Sequence, residues 1–191
     1  MFCCLFNACS TAYYSTQTDP QNYFNKQEPL TIILRETPTI TEKKFGLLLG
    51  ELLAENGFNV NGFNMQIEKT NCYITFSMDI SSSQNTKSYT TYYTNTTYIS
   101  GRAVTTTTPT TNVYTTHNVT KSIGVSIFCK DNQNKNSQIW FGFVNADIDD
   151  YSKYEKDIIQ NLIGLIGKDF KGKIDIVKVK KLENINDDKL N

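Results

Sequence analysis

From Ser88 to Thr120 the chain reads SYTTYYTNTTYISGRAVTTTTPTTNVYTTHNVT, and the whole stretch from Ser81 contains almost no Leu, Ile or Phe. Such a segment has nothing to bury and cannot be core, yet Thr and Tyr are good strand formers. Ser100-Gly101-Arg102 or Thr108-Pro109-Thr110 could turn it. Two readings follow. One is a long solvated excursion between two sheet strands, an extended hairpin or partly disordered. The other is an interaction element displaying Tyr89, Tyr92, Tyr93, Tyr98 and Tyr114, since tyrosine offers large contact area at low rotamer cost and exposed strands pair with other strands. A membrane-inserting hairpin lacks the lipid-facing alternation of Leu, Val and Phe it would need. Asn95-Thr-Thr and Asn118-Val-Thr match the glycosylation acceptor, as expected by chance in so Asn- and Thr-rich a stretch.

The rest of the 191 residues suffices for one domain. Leu30 to Glu36 is an aliphatic run ended by Pro38, which suits a buried strand. Thr39-Ile-Thr-Glu42 has capping-box spacing, and Phe45, Leu48, Leu49, Leu52 and Leu53 then form one helical stripe stopped by Asn56-Gly57. Strict alternation predicts strands at Cys72–Ile80 and Ile123–Cys129, and Ile139–Val144 is apolar on both faces, as a central strand would be. Asp149-Asp150 and the Ser152-x-x-Glu155 spacing announce a second helix with Tyr154, Ile158, Ile159, Leu162, Ile163 and Ile166 inward. Lys173 to Lys181 reads as an edge strand.

The expected class is α+β: an antiparallel or mixed sheet with two helices packed on one face, in the order β-α-β-β-β-α-β, plus the long Thr/Tyr-rich hairpin or loop excursion at 81–120. The domain spans 29–182, with a frayed tail at 183–191. Residues 10–27 show no period of 2 or 3.6 and read as a polar tether.

The N-terminus, Met-Phe-Cys-Cys-Leu-Phe-Asn-Ala-Cys-Ser-Thr, resembles the end of a lipoprotein signal peptide, with Leu5 and Ala8 before an acceptor Cys9. Residues 1–8 would be its remnant, and 9–28 the acylated cysteine with its tether. Leu5 stands one position early, Asn7 occupies a usually small position, and the charged and apolar regions of a signal are short, so a start codon further upstream is expected. The several lipid chains on such a cysteine give stable anchoring where one chain is marginal. Ser10 after the cysteine resembles the default outer-membrane sorting pattern. The competing readings are a cytosolic protein with a greasy N-terminus, or palmitoylation of Cys3 and Cys4.

Lys plus Arg and Asp plus Glu are 19 each, so no net field draws the chain to nucleic acid. A single histidine, His117, nearly excludes a metal site or a His-dependent nucleophile. Gly164-Leu-Ile-Gly167-Lys168 is no phosphate loop, and Asp147, Asp149 and Asp150 read as charge favouring a helix N-terminus rather than a Ca²⁺ loop. No catalytic residue, metal or cofactor is expected, and the chain is not read as an enzyme. Cys72 and Cys129 each fall on an apolar strand face, where a free thiol acts as a small hydrophobe; in an oxidising compartment they would form a disulfide if their strands are neighbours.

The segments IWFGFVNADIDD, YEKDIIQNLIGLIGKDF, KKFGLLLGELLAENGF and ACSTAYY are similar to a group of small bacterial envelope lipoproteins. The shared pattern is a lipobox Cys-Ser-Thr, a helix ending near an Asn/Lys-Gly, a variable Tyr/Gly-rich middle, a Trp-x-Gly strand, here Trp140-Phe-Gly142, and a closing helix. The resemblance implies an envelope location, on the outer-membrane inner leaflet facing the periplasm, and a βα-repeat fold; it implies nothing about activity. Two functions fit: an accessory or assembly subunit that works through contacts with envelope proteins or by forming a homo-oligomer, or alternatively a carrier of lipid or glycolipid. Both need membrane attachment through the lipid anchor.

Overall fold

The computed structural model describes residues 10–21, 24–63, 70–99, 102–131 and 134–176, without the side chains of 98, 99 and 104. Cys9, the signal remnant, residues 177–181 of the expected last strand and the 183–191 tail lie outside the described residues. The elements are β1 (Thr11–Thr18), β2 (Leu30–Ile32), α1 (Ile40–Glu55), β3 (Val60–Phe63), β4 (Cys72–Ile99), β5 (Arg102–Lys130), β6 (Asn136–Asp147), α2 (Ile148–Gly164) and β7 (Phe170–Asp175). One seven-stranded sheet has the order β3-β2-β4-β5-β6-β1-β7. Pairing is parallel for β2 with β3 and β4, and antiparallel for β5–β6, β6–β1 and β1–β7. The class is α+β with a mixed sheet, as expected, but strands dominate and the order is β-β-α-β-β-β-β-α-β. The chain divides into two compact units, residues 81–119 and the remainder.

Two strands account for the corrected order. The stretch read as a tether holds β1, an inner strand between β6 and β7, with Ala12, Tyr14 and Thr16 buried on alternate positions. Its period of 2 is carried by Ala, Tyr and Thr, residues that sit comfortably on either side of a sheet. β3 is a short edge strand whose Val60 and Phe63 pair with Leu30 and Ile32.

The helices end where the local chemistry dictates. Thr39 caps α1 by accepting from the Glu42 amide, while the Glu42 carboxylate accepts from the Thr39 amide at 2.7 Å. Gly57, at φ 80°, follows the end of the helix. At α2 the cap is Asp147, whose Oδ1 accepts from the Asp149 amide at 2.9 Å. The Ser152 spacing is therefore not the cap: Ser152 lies inside the helix and donates to the Ile148 carbonyl. Tyr154 sits at a non-helical kink and is only half-buried, and Tyr151 takes the inward place.

Both helices cover the sheet face that carries Ile74, Ile127, Val144 and Tyr14. Phe45 of α1 meets Phe76 edge-on at 4.7 Å, and Tyr14 donates to the Ile158 carbonyl of α2 at 3.1 Å. Lys156 of α2 joins the helices through Glu55 at 3.2 Å. β6 is central, as its apolar faces predict, with Trp140 fully buried beside Gly142. A side chain on Gly142 would run into the Trp140 indole and Leu162.

Candidate functional site

Between 81 and 119 the described residues of β4 and β5 form a two-stranded antiparallel ribbon. Threonines face each other across it, with hydroxyl contacts at 3.2 Å for Thr86–Thr115, 3.1 Å for Thr90–Thr111, 3.4 Å for Thr94–Thr107 and 3.2 Å for Thr96–Thr105. The residue numbers in each pair have the same sum, which fixes one unbroken register along the ribbon. Cys72 and Cys129 obey the same register, and a disulfide joins them at a Cα separation of 4.1 Å.

That register has a parity. Lys130 N donates to the Asn71 carbonyl at 2.9 Å, so 71 and 130 form a hydrogen-bonded pair, and 72 with 129 the closer, non-hydrogen-bonded kind. The threonine pairs lie an even number of steps from the disulfide and belong to that closer kind. Their side chains are near enough to touch, and their backbone amides and carbonyls point away from the partner strand.

The tyrosines divide between the faces. Tyr89, Tyr93 and Tyr114 share the face opposite the threonine pairs, where Tyr89 and Tyr114 meet edge-on at 6.4 Å. Tyr92 shares the threonine face, and Tyr98 has no described side chain. Tyr89, Tyr92, Tyr93 and Tyr114 remain 47–69% exposed. Residues 81–119 carry no Asp or Glu; their ionisable groups besides tyrosine are Lys87, Arg102 and His117. His117 is exposed, on the ribbon.

An open groove of about 500 Å³ is lined in part by Cys72 and Cys129. Its walls are mostly polar, including Gln21, Asn25, Glu28, Asn71, Lys130 and Asp131. Lipid sites are predominantly apolar, so this lining offers no support to the carrier reading.

The strongly shifted groups lie under α2 and serve packing. Burial pushes the Tyr14 hydroxyl up to about 12, against a lowering contact with Asn161. Burial, and secondarily the Glu155 carboxylate, push Tyr151 upward too, and Lys121 sits 3.8 Å over the Tyr151 ring. Asp147 and Asp150 hold backbone and Ser10 hydroxyl partners at the start of α2. Among the described residues no three His, Cys, Asp or Glu stand together as a metal site. No described helix is long and apolar enough to cross a membrane.

No protein-family model and no curated protein matches the chain. Two solved structures are similar to it. A PDZ domain protein from Parabacteroides distasonis is 11% identical at a TM-score of 0.49, over 86% of this chain and 37% of its own. A PelC dodecamer from Paraburkholderia phytofirmans is 10% identical at a TM-score of 0.44, over 82% of this chain and 98% of its own. This chain thus spans little more than a third of the first.

Proposed function

We propose that this protein is a non-catalytic envelope lipoprotein, an accessory or assembly subunit that acts through protein–protein contacts made by its ribbon. The observation that carries the reading is the ribbon itself. A two-stranded hairpin is marginally stable alone in water, and one without an apolar face has no core of its own. A chain that spends residues 81–119 on such an element, with four tyrosines exposed, has a surface suited to binding another protein.

The location is proposed from the N-terminal pattern and the disulfide. Acylation at Cys9 would hold the domain at the outer-membrane inner leaflet, and the Cys72–Cys129 bond suits an oxidising periplasm. Labelling with tritiated palmitate tests the anchor: incorporation that is lost in Cys9→Ser supports it, and no incorporation removes it. Chemical cross-linking in cells tests the ribbon. Replacing residues 83–119 by a short turn should abolish cross-linked species while the domain still folds; unchanged cross-links would defeat the proposal.

A further inference from the structure

The two long edges of the ribbon are not equivalent. Because Thr90–Thr111 and Thr94–Thr107 flank it in one register, Pro109 stands opposite Tyr92 in a non-hydrogen-bonded pair. Its nitrogen therefore points away from β4. The missing N–H costs the hairpin ladder nothing and removes a donor from the outer edge of β5, a placement that blunts an edge against pairing.

The outer edge of β4 has no such guard. Among the described residues its outer pairing, to β2, runs from Cys72 to Ile74. Beyond that, Thr86, Ser88, Thr90, Tyr92, Thr94 and Thr96 turn their amides and carbonyls outward, with no proline or charged residue among them. Lys87 has the opposite parity and keeps its backbone groups within the hairpin.

We infer that the β4 outer edge, Thr86 to Thr96, pairs antiparallel with the same edge of a second copy of this chain. The inference rests on reading the ribbon as a contact element, and it names the occupant. The charge pattern favours a like strand: the ribbon holds no carboxylate to attract a basic partner, and between Thr86 and Thr96 its one charge is Lys87. A twofold axis at Thr91 sets Thr86 against Thr96 and Ser88 against Thr94, hydroxyl residues whose outward amides and carbonyls then face each other. It sets Lys87 against Asn95, so like charges do not meet. The contact is isologous and uses the unguarded edge of each copy, and Pro109 keeps the outer edges from adding further strands, so assembly stops at two.

Light scattering on the full chain after size exclusion tests this. Wild type should have twice the mass of one chain. Thr90→Pro, which removes an outward donor as Pro109 does on β5, should return it to one chain. Pro109→Thr restores the β5 donor and should yield species larger than two. A wild type at one chain mass, or Thr90→Pro still at two, overturns the inference, and Pro109→Thr remaining at two overturns the assignment of Pro109 as the guard. A monomeric wild type whose cellular cross-links still need residues 83–119 removes the self-pairing alone and leaves the ribbon as a contact element.

Discussion

Thr96 and Thr105 meet hydroxyl to hydroxyl at 3.2 Å in the same register that joins Cys72 to Cys129. A single alignment of β4 with β5 thus runs from the disulfide to the described end of the ribbon. It decides which backbone groups the ribbon satisfies internally and which it turns outward. The ribbon carries Lys87, Arg102 and His117 but no carboxylate, and Pro109 stands on the outer edge of β5.

The disulfide closes a loop with a sequence separation of 57, and such a cross-link stabilises chiefly by restricting the unfolded chain. Replacing both Cys72 and Cys129 by Ser should lower the free energy of unfolding by about 2–4 kcal/mol in urea titrations. Added reductant should bring wild type down to the double variant. Equal stability with and without reductant would argue against a bonded pair.

Gly142 leaves the space that the Trp140 indole and Leu162 occupy. Gly142→Ala should destabilise the domain by about 1–3 kcal/mol through overpacking and change the near-UV signal of Trp140, the chain's single tryptophan. Gly164, the last residue of α2, has nothing within contact of an added Cβ, so Gly164→Ala should be neutral or slightly stabilising. A similar loss at both positions would refute the packing account.

Tyr14 ionises in the unfolded chain near 10 and in the folded chain near 12. Its folded value is raised, so its contribution is fully present below pH 10 and is lost as pH climbs toward 12, by on the order of 3 kcal/mol. Tyr151 acts in the same direction. Denaturant titrations between pH 8 and 12 should show a steep alkaline loss in wild type and a shallower one in Tyr14→Phe. That variant should also lose about 1 kcal/mol at neutral pH with its bond to the Ile158 carbonyl. An unchanged alkaline slope would contradict the assignment.

What could be read from sequence was whatever wrote a strong period or a cap. The Thr39–Glu42 box and the Phe45–Leu53 stripe set α1 to within a residue, and Ile139–Val144 marked a central strand. At α2 two acceptable caps competed, and Asp147 won because the helix begins one turn before the serine. β1 and the ribbon are both written in Thr, Tyr and Ser, residues that serve a buried strand or a wet one. Only tertiary context separates them: β1 lies between β6 and β7, whereas among the described residues β4 pairs with β2 at 72–74 and β5 with β6 at 120–130. The threonine pairs were legible in principle, since positions 86, 90, 94 and 96 mirror 115, 111, 107 and 105 in number. Without a fixed register from Cys72 and Cys129 the mirror has no anchor, and the direction of the Pro109 nitrogen stays hidden.

The claim that the ribbon is the protein's contact surface is tested most directly by site-specific photo-cross-linking in its native cells. A photoreactive residue replaces Tyr92 or Tyr93 in turn, with Leu47 of α1, 61% exposed, as the control. Discrete higher-mass adducts are expected from Tyr92 and Tyr93 and none from Leu47. Adducts from Leu47 alone, or none from either ribbon position, would contradict the claim.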